Sequence, residues 1–154
     1  MASDTSYTIT LRNNLTEKAA IDYVMSSDRS FLNPSLQSRK RILEMLTIPA
    51  QFSRAFDLVR VPGHINSESE IRVEDARLIT LVELKTTRKL LPECPKGFFF
   101  GATENEFELA RLLGAQYVFC FVCLHPDSIG YSLVTHAELQ DLIRTKRTQY
   151  QINL

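Results

Sequence analysis

The chain has 154 residues, of which 44% are hydrophobic and 23% charged, and its 18 basic residues match its 18 acidic ones for a formal net charge of zero. That length fits one globular domain with a single core, and the balanced charge excludes any global attraction to nucleic acid, so a nucleic-acid signal has to be local. No apolar run reaches transmembrane length, and the start Met1-Ala2-Ser3-Asp4-Thr5 lacks the regions of a secretory signal, so the expected compartment is the cytoplasm with no membrane partner.

The first stretch, Tyr7-Thr8-Ile9-Thr10-Leu11, alternates polar and apolar residues and predicts a short leading strand. Asn14-Leu15-Thr16-Glu17 has the pattern of an N-cap followed three residues on by Glu, and opens a helix to about Met25. Its apolar face is Leu15, Ala19, Ala20, Tyr23 and Val24. Asn33-Pro34 predicts a second helix start, with the helix running to about Leu46 before Pro49 stops it. This helix carries Arg39-Lys40-Arg41, which suits either a solvated face or phosphate contact, and Glu44, which stands one turn from Lys40 and can pair with it.

Ala55 to Val61 is a short apolar stretch with one carboxylate, Asp57, near its start, and predicts a strand. Pro62-Gly63-His64-Ile65-Asn66-Ser67 marks a turn into an acidic connection of Glu68, Glu70, Glu74 and Asp75. Acids repel phosphates, so this connection is expected as a solvated hairpin tip away from any binding face.

Leu78 to Thr87 is the sharpest stretch. Its aliphatic and β-branched residues predict a strand buried for most of its length, with Glu83 and Lys85 at its polar end. Side chains alternate along a strand, so these two point to the same side, roughly 7 Å apart at the backbone. They form either an ion pair or a hydrolytic half-site, in which a carboxylate beside an ammonium holds magnesium and a water. Asp57 on an adjacent strand would bring a second carboxylate to the same cation.

Thr86-Thr87-Arg88-Lys89 carries this strand into a loop with two hydroxyls and two cations, which continues through Pro92, Cys94-Pro95 and Gly97 to Phe98-Phe99-Phe100. Three successive Phe cannot all face one side, so at least one is exposed or covered by a partner while the others pack inward. Thr103 and Glu106 form a capping box, which leaves Asn105 without a structural reason. The helix they open buries Phe107, Ala110 and Leu113 and ends at Gly114 as a left-handed cap. Tyr117 to Leu124 is apolar on both faces and belongs in mid-sheet. A turn at Pro126 to Gly130, a strand at Tyr131 to Val134 and a helix capped by Thr135 follow. Arg144, Lys146 and Arg147 cluster after that helix, suiting either its dipole or nucleic acid. Cys94, Cys120 and Cys123 have no fourth partner for zinc and read as small core residues, and His64, His125 and His136 have no ligand spacing.

The order helix, strand with Asp57, strand with Val82-Glu83-Leu84-Lys85, helix opened by Thr103-Glu104-Asn105-Glu106, and aromatic-rich strand resembles the PD-(D/E)xK (restriction-endonuclease-like) nuclease superfamily. It is most similar to a branch found beside restriction-system helicases. The resemblance covers about residues 36 to 124 and departs at one point, where Phe56 stands in place of the proline before the Asp. It implies an α/β fold, a mixed sheet flanked by helices with the core order helix, strand, strand, strand, helix, strand. It further implies a core at about 36–124, a helical extension at about 1–33 and a strand and helix at 131–154, all in one nuclease-like domain. Asp57, Glu83 and Lys85 would be catalytic, with magnesium, or manganese in its place, held by Asp57, Glu83 and the Leu84 backbone carbonyl. Glu44, on the helix before the catalytic strands, is the further metal candidate.

DNA contacts would fall to Arg39, Lys40, Arg41, Thr86, Thr87, Arg88, Lys89, Asn105, Arg144, Lys146 and Arg147. Cutting both strands of a duplex with one small site favours a homodimer, an argument from need. Three readings stay open at this stage. The first is a magnesium-dependent DNA endonuclease of restriction or defence type. The second is a catalytically silent nucleic-acid-binding or interaction module on the same fold. The third is an unrelated α/β domain whose Asp57 and Glu83 are ordinary strand-end ions.

Overall fold

Five strands lie side by side in the order in which the chain makes them: β1 (Phe31–Leu32), β2 (Leu58–Arg60), β3 (Thr80–Thr87), β4 (Tyr117–Cys123) and β5 (Gly130–Thr135). This computed structural model describes the backbone of residues 2–63 and 67–154, with side chains from residue 15 onward. β2 runs antiparallel to both of its neighbours, β1 and β3, while β3 and β4 run parallel and β5 returns antiparallel to β4. The one parallel pair needs a long crossover, which α3 (Glu104–Leu113) supplies. All seven residues of β4 are buried, as expected for an apolar strand between two neighbours.

Helices cover both faces. Val82, Leu84, Val118, Cys120 and Val122 point to one face and meet Ala20 and Val24 of α1 (Ala2–Ser27). Leu81, Phe119 and Phe121 point to the other face. There they meet Ile42 and Leu43 of α2 (Leu36–Met45), Leu109 and Ala110 of α3, and Leu139 of α4 (His136–Leu142). The architecture is therefore an α/β fold, a five-stranded mixed sheet flanked by helices. Among the described residues, no helix is long and apolar enough to cross a membrane.

The N-terminal third departs most from the sequence expectation. Residues 7–11, expected as a strand, are helical, and α1 runs through Asn14 without starting there. Alternation over five residues fits either period, and helical neighbours extend the helix through it. The helix expected as an extension packs on the sheet, because Ala20 and Val24 form a fully buried stripe. Leu15, placed by sequence on the apolar face, is exposed. α2 begins two residues later than Asn33-Pro34 suggests, capped by Ser35, whose side chain accepts from the Ser38 N–H at 3.2 Å.

The acidic connection is no solvated hairpin tip. It forms two short 3-10 turns, Glu68–Glu70 and Val73–Leu78, and docks on α2 with Ile71 buried between them. Arg41 holds it there by donating to the carbonyls of Ile71 at 2.9 Å and Glu68 at 2.7 Å. His64, without ligand spacing in the sequence, lies outside the described residues. Gly114 closes α3 with φ 56°, ψ −120°, a positive-φ conformation that favours glycine, though outside the left-handed helical region. Cys120 and Cys123 face opposite sides of β4 and are both buried, and all three cysteines are free.

Burial of α1 on the sheet leads to a direct test. Val24→Asp places an unpaired carboxylate among apolar side chains and should lower stability to urea by about 3 kcal/mol or more. A change within about 0.5 kcal/mol would be the result for a helix that does not pack on the sheet.

Candidate functional site

The C-terminal half of β3 places Glu83 and Lys85 on the face covered by α2, α3 and α4, and both are largely withdrawn from solvent, Glu83 to 8% exposure. Asp57 precedes β2 and reaches β3. Its N–H donates to the Val82 carbonyl at 2.8 Å, and its Oδ2 accepts from the Leu84 N–H at 2.8 Å. The N–H and C=O of one strand residue face the same neighbouring strand, so the Leu84 carbonyl faces the Asp57 side too. The structure thus brings together Asp57, Glu83, Lys85 and the Leu84 backbone, the core of the expected site.

A third carboxylate closes the cluster. Glu106, in the first turn of α3, is 5% exposed. Its Oε2 accepts from the Thr103 N–H at 2.9 Å and hydroxyl at 2.6 Å, completing the capping box, while its Oε1 takes the Lys85 ammonium at 2.5 Å. Lys85 also reaches Glu83 Oε1 at 3.2 Å. The capping box explains Glu106 in sequence, and that sufficiency hides its second role. A carboxylate has two oxygens, and here each has its own partner.

Glu17 is the other residue that sequence reasoning passes over. Burial and then the charge of Asp57 push its carboxyl upward, while Arg39 and Lys85 oppose this, so Glu17 sits within the electrostatic field of the site. The signal was present in the chain: Glu17, Ala20 and Val24 are spaced by three and four residues, which puts one acid in line with the buried stripe of α1.

The charges do not balance. Burial works against the Lys85 ammonium, but Glu83 and Glu106 outweigh it and hold the amine protonated. Burial also works against the Glu106 charge, yet the Lys85 and Thr103 hydrogen bonds prevail and lower its pKa. These two make the ion pair. Asp57 is raised by burial, against the Leu84 N–H, a Glu83 hydrogen bond and the charges of Arg39 and Lys85. Glu83 is pushed up to about 10, first by burial and then by the Asp57 charge. Both carboxyls are shifted toward the protonated form, so an added positive charge would relieve the pair.

That excess negative charge is the test of fit for a divalent metal. Magnesium takes hard oxygens and keeps several waters, and two carboxylates plus a carbonyl on one side suit it. Among the described residues no three His, Cys, Asp or Glu groups make a metal shell by themselves. Glu44 adds nothing here. It is exposed on α2 beside a groove lined by Arg41, Met45, Ile71, Val73 and Glu74, which contains none of the cluster's residues.

The backbone from Ala55 to Asp57 is held by two side chains. The Ala55 carbonyl accepts from the Tyr117 hydroxyl at 2.6 Å, and the Phe56 and Asp57 carbonyls accept from the Arg39 guanidinium at 2.7 and 3.0 Å. Arg39 and Arg41, expected as phosphate contacts, are both occupied by backbone carbonyls. Of the other basic candidates, Lys40, Lys89, Arg144 and Arg147 are exposed. Arg88 donates to the Thr16 hydroxyl at 3.1 Å, and the Lys146 ammonium lies 5.2 Å from the centre of the Phe107 ring. Thr86 and Thr87 are half-buried along the end of β3, where the Thr87 hydroxyl accepts from the Lys89 N–H, and Asn105 is exposed at the start of α3. Compared with protein-family models, curated proteins and solved structures, the chain finds no match in any of the three.

Two outcomes follow. Because the folded protein holds the Glu83 proton more tightly than the unfolded chain does, its contribution is full below the ordinary carboxylate pKa of 4.5 and is lost as pH rises toward about 10. Metal-free protein should thus lose melting temperature from pH 5 to pH 9, and Glu83→Gln should flatten that slope. In the second, Arg39→Lys should destabilise the protein by about 1–3 kcal/mol in urea, since one ammonium cannot replace a fork donating to two carbonyls.

Proposed function

We propose that this chain is a magnesium-dependent nuclease acting on DNA, similar in plan to the PD-(D/E)xK superfamily. The observation that carries this reading is the meeting of Asp57, Glu83 and Lys85 at the end of one buried strand, with the Asp57 carboxylate fastened to the Leu84 N–H. The element order supports it as well. Within the expected core of about 36–124 the order is α2, β2, β3, α3 and β4, one strand short of the plan; counting α1 and β1 from the expected extension supplies a helix, three strands, a helix and a strand, with α2 inserted between β1 and β2.

In this reading Asp57, Glu83 and the Leu84 carbonyl are the metal ligands. Magnesium, when bound, supplies positive charge to the phosphoryl oxygens and acidifies a water, with manganese able to replace it. Lys85 stays an ammonium, so it acts as a donor that orients the water and stabilises negative charge growing on the phosphoryl group, not as a base. Glu106 positions Lys85, and through the capping box it ties that lysine to the start of α3. Cleavage of both strands of a duplex would involve a homodimer. A binding module on the same fold is the second reading, favoured by the proton that Asp57 and Glu83 can share in place of a metal.

Plasmid nicking with magnesium, and with EDTA as control, is the test. Asp57→Asn should lower the cleavage rate about a hundredfold or more and remove the rise in melting temperature on adding magnesium, since a ligand charge is lost. Lys85→Ala should be as slow but also less stable, because it leaves the Glu106 carboxylate buried without its partner. Wild-type rates in both variants would overturn the site. A wild type that binds DNA and never cleaves it would establish the binding module.

A further inference from the structure

We propose that the loop joining β3 to α3 grips nucleic acid by stacking an unpaired base on Phe99, so that the site takes single-stranded or locally opened DNA. This rests on the reading above and adds to it the form of the substrate.

Phe98 and Phe100 set their rings 4.9 and 5.0 Å from the Phe121 ring, one residue to either side of Phe99. The backbone between two inward anchors turns the middle side chain out, and Phe99 is 92% exposed. An isolated exposed apolar residue is common on any surface and by itself means little. This one is held firmly on both sides, and its place gives it meaning. Phe121 lies directly opposite Lys85 in the β3 and β4 register. Neighbouring strands lie about 5 Å apart, so the ring on which both anchors of Phe99 pack belongs to the strand beside the lysine.

The same loop is basic. Arg88, Lys89 and Lys96 are exposed on it against one acid, Glu93, and Leu90 adds a second exposed apolar side chain. In a chain of zero net charge this is a local excess of positive charge on the loop that leaves β3, next to the site proposed above. Cations that follow a phosphate backbone, with an aromatic ring that offers a π-face, are the two parts of a single-strand grip. A closed duplex keeps its base faces stacked on one another, so the ring selects a base that is unpaired.

The experiment measures binding of fluorescently labelled 20-nucleotide oligothymidylate, and of a duplex of equal length, in EDTA so that nothing is cut. Wild type should bind the single strand more tightly than the duplex. Phe99→Ala should weaken single-strand binding about tenfold or more, Phe99→Trp should retain it, and duplex binding should change less than twofold in both. An exposed side chain can be replaced without unfolding the protein, and melting temperatures check this.

Equal single-strand affinity in wild type and Phe99→Ala overturns the inference, even if the wild type nicks plasmid and the proposed function stands. A wild type that neither binds nor cleaves overturns both. Single-strand binding lost in Phe99→Ala without any cleavage upholds the grip alongside the binding-module reading. Two other results overturn it in favour of a different occupant. One is Phe99-dependent binding to phosphatidylserine vesicles with no oligonucleotide affinity. The other is a dimer that Phe99→Ala converts to monomer with oligonucleotide binding unchanged.

Discussion

One ammonium among three carboxylates, all withdrawn from water at the end of β3, is the constraint on which the rest of this structure depends. Lys85 can balance one negative charge, and its short contact with Glu106 takes that role. Asp57 and Glu83 are left facing each other, where low dielectric magnifies their repulsion. A proton or a cation relieves it. A buried cluster with uncompensated negative charge is costly as mere structure, because apolar replacement of buried charged groups is often neutral or stabilising. This is the physical reason for reading the cluster as a site.

The elements around the cluster hold each charged group in place. β3 fixes Glu83 and Lys85 on one face, and its pairing with β2 brings Asp57 alongside. Tyr117 and Arg39 secure three successive carbonyls, those of Ala55, Phe56 and Asp57, so the strand entry carrying the acid cannot drift. The crossover that makes β3 and β4 parallel also delivers the N-terminus of α3, and with it Glu106, to the lysine. Residues from α2, α3, β3, β4 and the entry to β2 act together in this way. Rigid surroundings of this kind allow a polar cluster to keep one geometry.

The basic residues fall into two groups with different work. Arg39 donates to three backbone carbonyls and Arg41 to two, a use that a planar guanidinium suits and a lysine does not. Lys40, next to them in the chain, is exposed. Three cations in a row therefore separate into two internal ties and one surface charge. With those ties removed from the nucleic-acid candidates, Lys40 and the exposed charges of the β3 to α3 loop and of the segment after α4 remain.

Much of this was legible in the chain. A strand with period-two chemistry placed Glu83 and Lys85 together, an apolar run placed β4 in mid-sheet, and three adjacent Phe required one to face outward, because all of these are consequences of local geometry. Capping boxes at Thr103 and Thr135 set the starts of α3 and α4 for the same reason. The pairing of Asp57 with the Glu83 strand was foreseen, but most other relations between distant segments lay outside reach. The alternation at 7–11 had no local feature to distinguish a strand from the helix that contains it. Glu17 and Glu106 carried complete local explanations as cap partners, and Arg39 looked like a surface cation beside Lys40. Only the packed fold decided that α1 belongs to the core, that Arg39 fastens the entry to β2, that Glu44 faces a different groove and that Glu106 pairs with Lys85. Such choices are set by which segments come together across the sheet. A side chain's role depends there on the neighbour it meets, and residue spacing along the chain holds no record of that neighbour.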